Sequence, residues 1–214
     1  MPDNLEYIKS LIDILMSINK NTDALAYCQQ ITQVFPGDKQ YLNLGIKLLL
    51  KMNRVEDAIS QYQRLINADP FNFELYTNCG KLYFSRNDYD NAYQMFKKSK
   101  DIEQKFPDNY RFIGKILMAN NRTAIAGSNF KTAAARKIYN HEQYLQNSRR
   151  AGGQKADPRD NEKNTLVFLY DCYLNLLKCG ENFSDEVKQT EEKLFLKGYL
   201  SEQKMKEIRG RYKV

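Results

Sequence analysis

The chain has 214 residues, 42% of them hydrophobic and 28% charged, with a formal net charge of +7. These proportions suit one folded domain or one array of repeats. No run reaches the roughly 18 apolar residues that cross a bilayer, and Met1-Pro2-Asp3-Asn4 lacks the basic start and apolar core of a signal peptide.

From the N-terminus onward, four copies of one pattern are predicted, over residues 5–37, 38–71, 72–105 and 106–140. Each has an apolar stripe at helical spacing, a polar break at Asn, and a second stripe. Ala24, Ala58, Ala92 and Ala126 are spaced by 34, and Asn19, Asn53, Asn87 and Asn121 keep the same step. Pro2, Pro36 and Pro70 share it, and Gly45, Gly80 and Gly114 follow it within one residue. A fixed period of this size marks a solenoid of helical hairpins. The Asn is expected to end each first helix in the left-handed conformation. The Ala is expected where the second helix crosses the first, and the Gly where a neighbouring helix comes close.

In the fourth copy the terminal Pro is replaced by Ile138, so one long helix is predicted from Ala124 towards Gln146. Residues 141–163 then read as its extended end and a mobile basic loop, from Asn147 to Asn161, carrying Arg149, Arg150, Lys155 and Arg159. Residues 164–214 read as a degenerate hairpin plus a capping helix. Its predicted elements are Thr165–Lys178 with a stop at Gly180, a second helix capped by Ser184 and ending at Leu196, and a last helix from Ser201 to Arg211.

The third copy carries the motif most fully, with Tyr76, Cys79-Gly80, Tyr83, Tyr89, Ala92 and Phe96. The fourth offers Tyr110, Ile113-Gly114, Leu117, Ala126, Phe130 and Ala133; the second offers Tyr41, Leu44-Gly45, Leu48, Ala58, Tyr62 and Pro70. In the first, Leu11-Ile12 stands for Leu-Gly, while Ala24 and Pro36 hold. This pattern resembles the tetratricopeptide repeat over residues 1–140. The resemblance implies an all-α, superhelical solenoid whose first helices line a concave groove that binds a protein segment. It places Lys9, Asp13, Asn43, Thr77, Asn78, Lys81, Arg111 and Lys115 in that groove. One branch of the family grips the acidic tails of heat-shock chaperones with a Lys and Asn clamp. Lys9 and Asn43 match that clamp, but Asp13, Glu74 and Asn78 depart from it, which argues against that ligand.

Catalytic chemistry has no visible constellation. There is one histidine, His141, no Gly-x-Gly-x-x-Gly and no phosphate-loop pattern. Cys28, Cys79, Cys172 and Cys179 form no Cys-x-x-Cys pair, so they read as buried small residues in a reducing, cytoplasmic compartment, with no metal or cofactor. The function expected is therefore non-enzymatic: an adaptor or scaffold subunit joining protein partners. Residues 1–106 hold 13 basic and 13 acidic residues and residues 107–214 hold 20 and 13, so the charge excess lies in the second half and favours an acidic partner segment. An alternative is a nucleic-acid or ribosome-associated factor using that basic half, with Tyr110-Arg111-Phe112 and Arg136 to Tyr139 as contacts. A membrane anchor through the last basic helix ranks last. Pro2 lies where a preceding repeat would end, so a longer array and self-association through Ile8, Leu11, Ile12 and Leu15 are also expected.

Overall fold

The computed structural model describes residues 2–35, 38–150 and 158–212. All regular structure among them is helical: α1 (Pro2–Ser17), α2 (Asn21–Val34), α3 (Lys39–Lys51), α4 (Val55–Ala68), α5 (Phe73–Ser85), α6 (Tyr89–Ile102), α7 (Pro107–Ala119), α8 (Thr123–Arg150), α9 (Pro158–Lys178), α10 (Ser184–Leu196) and α11 (Glu202–Tyr212). They form two compact units, residues 1–95 and residues 96–214, with the division inside α6.

The hairpin turns follow from the Asn spacing. Asn19, Asn53, Asn87 and Asn121 all have positive φ, between 58° and 60°. Beside Asn19, Lys20 N donates to Leu15 O at 2.8 Å and Asn19 N donates to Met16 O at 3.2 Å. The same pair of bonds recurs after Asn53, Asn87 and Asn121. This double closure satisfies the last carbonyls of the helix, and it needs a residue that tolerates the left-handed region. Gly180 and Gly198, at φ of 79° and 66°, close α9 and α10 in the same way. Helix starts are set separately. Asp38 accepts from Gln40 N and Tyr41 N to cap α3, and Asn72 accepts from Glu74 N to cap α5. Pro107 opens α7 at a position whose N–H has no helical partner.

In the first unit α1 to α5 share one apolar core, running from Ile12 and Leu15 through Leu25, Ile46 and Leu49 to Leu65 and Leu75. Ala24, Ala58 and Ala92 are 0% exposed, as the crossing role requires. Ile8, Leu11, Ile12 and Leu15 belong to this core rather than to an uncovered edge. Among the described residues the exposed apolar side chains here are instead Tyr7 and Ile14 of α1 and Ile18 just after it.

In the second unit Ala126 and Phe130 are 0% exposed. A Cβ added to Gly114 would lie 2.9 Å from the Phe130 ring, so this glycine admits the ring against α7; at Gly45 the nearest atom would be Leu25 Cδ1 at an ordinary 3.7 Å. Ala133 and Ala134 of α8 pack on Phe168, Leu169 and Cys172 of α9. A second cluster joins α9, α10 and α11 through Leu166, Leu174, Leu194 and Met205.

Three expectations change. The helix predicted to end near Gln146 runs on to Arg150, and α9 begins at Pro158 rather than Thr165. The expected loop is thereby narrowed: Arg149 and Arg150 lie in the last turn of α8 and Arg159 in the first turn of α9, while Lys155 and the rest of 151–157 lie outside the described residues, as do Pro36 and Gly37. Ser184 does not cap α10; its hydroxyl donates to Asn182 Oδ1 at 3.1 Å and Phe183 holds the cap position. Ser201 is the working cap, accepting from Lys204 N at the start of α11.

Candidate partner-binding surfaces

The first helices present their polar residues unequally. Lys9 and Asp13 on α1, Asn43 on α3 and Asn78 on α5 are exposed, and Lys81 is half-buried. Thr77 is 1% exposed and faces the core, which corrects its assignment to the groove. The step from Gly45 to Gly80 is one residue longer than the period. The helix bounds, Asn53 and Asn87 all keep the 34-residue step, so only the glycine is displaced; Thr77 stands at the place of Asn43 in α3 but is buried, while its neighbour Asn78 is exposed.

Arg111 and Lys115 also differ from expectation. They lie one turn apart on α7 and both reach Asp171 of α9. Arg111 Nη1 donates to Asp171 Oδ2 at 3.0 Å, and Lys115 Nζ lies 3.0 and 2.8 Å from the two carboxylate oxygens. Arg111 pairs with Asp108 as well, and the Tyr212 hydroxyl of α11 donates to Asp171. The Arg111 side chain is 20% exposed and that of Asp171 17%. The guanidinium also lies 4.9 Å from the Phe112 ring centre and 4.7 Å from that of Phe168. These two cations are thus engaged inside the second unit.

The energetics follow from burial. Removal from water pushes the Asp171 carboxyl up, but the charges of Lys115 and Arg111 and the bonds from Lys115 and Tyr212 outweigh it and hold it below its usual value. Burial likewise lowers Arg111, while Asp108 and Asp171 raise it further and win. Tyr212 is raised by burial and by Asp171. The sequence carried a signal for this cluster: Asp171 is the single charged residue between Thr165 and Leu177 in an apolar helix. Such a carboxylate is seldom buried without a partner.

Around the cluster opens a cleft of about 530 Å³, lined by α7, α8, α9 and α11. Lys137 of α8 enters it, with Nζ 5.6 Å from the Phe168 ring centre. Burial lowers the Lys137 pKa, Asp108 opposes that effect, and Arg111 adds to it. The thiols are unactivated: burial pushes Cys28 and Cys79 up to about 11, and raises Cys172 as well. Among the described residues no helix is long and apolar enough to cross a membrane.

Four hairpins share one Asn closure and one buried Ala. Family models described as "TPR repeat" and "Tetratricopeptide repeat" match residues 47–85 and 73–106. The chain carries tetratricopeptide repeats. Repeats of this family are protein-interaction modules, and the chain is all-α as that family requires. A comparison with curated protein sequences gives no match. Among solved structures the tetratricopeptide chain is similar to a MamA protein, at 12% identity and a TM-score of 0.63, over 94% of this chain and 98% of that one. It is also similar to MamA 41-end from Desulfovibrio magneticus RS-1, at 11% identity and 0.60, over 88% and 95%. MamA AMB-1 matches at 16% and 0.56, over 95% and 97%. Identities this low speak to the fold alone.

Proposed function

We propose that the chain is an adaptor or scaffold subunit that holds a segment of a protein partner along the first helices of residues 1–95. The observation that carries this reading is the face split on those helices. Tyr41, Leu42, Ile46, Tyr76 and Cys79 are buried, while Lys9, Asp13, Asn43 and Asn78 stay exposed. Exposed polar positions repeated on stacked first helices are how such arrays present a surface to an extended or helical ligand. The positive charge excess lies in residues 107–214, so an acidic stretch of the partner is assigned to that half and not to this face.

The ion pairs favour a protein over a nucleic acid. In the second half Arg111, Lys115, Lys131, Lys197 and Arg209 each pair with a carboxylate of the same chain. A cation already paired releases few counterions on meeting a phosphate. The test is affinity capture from native lysate with the wild-type chain and with Lys9→Glu, Asn43→Glu and Asn78→Glu combined. The reading expects the main protein partner to be lost with the fold unchanged by circular dichroism. Undiminished capture would refute it.

A further inference from the structure

We propose that the cleft of the second unit receives a carboxylate from a protein partner, with Lys137 as its counter-ion. This assignment rests on the protein-binding reading above and gives it a second, chemically specific contact. Of the three cations in the cleft, Arg111 and Lys115 are already answered by Asp108 and Asp171. Lys137 has no carboxylate within ion-pair distance among the described residues, yet it is half-buried and its charged form is disfavoured there. A second group points the same way. Arg111 Nε is buried with no hydrogen-bond acceptor. Buried donors of this kind ordinarily have a partner, and one incoming carboxylate oxygen supplies it.

The rest of the lining narrows the ligand. Asp108 and Asp171 stand in the same cleft, so a dianion such as phosphate meets two like charges while a single carboxylate meets a net positive site. Val167, Phe168 and Ile208 form apolar walls. An Asp or Glu flanked by an aliphatic residue therefore fits better than a uniformly acidic run.

The probe is a fluorescent peptide of alternating Glu and Leu, compared with its Gln and Leu counterpart, on the full chain at fixed salt. The Glu peptide should bind, and the Gln peptide should bind at least about tenfold more weakly. Lys137→Met, which keeps the stem over Phe168, should cost about tenfold with an unchanged melting temperature, and Lys137→Arg should recover most of it. Bound peptide should also shield Lys137 from acetic anhydride, read by mass spectrometry. Equal binding to Lys137→Met, shielding only at Lys9 or Lys81, failure of the Glu peptide to bind, or displacement by inorganic phosphate or a thymidine oligonucleotide would each overturn the proposal. Native-partner capture, measured separately with the Lys9, Asn43 and Asn78 variant, tells failure of the cleft from failure of the adaptor reading.

Discussion

The two units solve the same problem with different chemistry. In residues 1–95 the 34-residue period holds, every hairpin closes on Asn, and the core is apolar with an Ala at each crossing. In residues 96–214 one hairpin keeps the Asn and Ala, after which α8 extends to 28 residues, the closures become Gly180 and Gly198, and a half-buried carboxylate ties α7, α9 and α11 together. Small residues can set helix spacing only where the period brings them to the crossing. Where the period is lost, a directional group such as Asp171 can fix neighbouring helices, at the cost of making the unit sensitive to a single charge.

The sharpest way to break this contrast is Asp171→Ala. It leaves Arg111 and Lys115 without their shared anion, and breaking such a pair costs about 3–5 kcal/mol. Replacing Arg111, Lys115 and Asp171 together by Met, Met and Leu should restore most of that stability in urea unfolding. Acid should act in the same direction. The folded Asp171 value lies below the unfolded one, so its contribution is present above about pH 3.9 and fades as pH falls through the folded value. Asp171→Asn should remove that part of the acid dependence.

Glycine exchanges come next. Gly114→Ala should cost about 1–3 kcal/mol because the Phe130 ring has to move. Gly45→Ala, which meets only ordinary contact, should gain up to about 1 kcal/mol from helix propensity. Similar losses at both sites would mean that the Gly positions do not differ as described.

A smaller effect sharpens the likeness between the units instead. Asn53→Ala should cost about 1–2 kcal/mol, because alanine is strained at positive φ. Asn53→Gly and Gly180→Asn should each stay within about 0.5 kcal/mol if both residues serve the same closure.

Much of the first unit was legible. Asn and Ala recur because the closure needs positive φ and the crossing needs a small side chain, and both demands act on single residues. Thr77 was misplaced because the 34-residue step sets it at the place of the exposed Asn43, and a period gives position but not burial, which differs between the two copies. The second unit was harder to read. Arg111 and Lys115 look solvated until α9 brings Asp171 against them from 60 and 56 positions away. The start of α9 was also missed: Pro158-Arg159-Asp160 reads as polar loop by composition, although a Pro at a helix start with an acid in the first turn is itself a signal.

The central functional claim is that a partner lies on first helices rather than second ones. Hydrogen exchange on the captured complex, followed by mass spectrometry, tests it directly. The account predicts slowed exchange on binding in α1, α3 and α5, with α2 and α4 unchanged. Protection confined to α2 and α4 would contradict it.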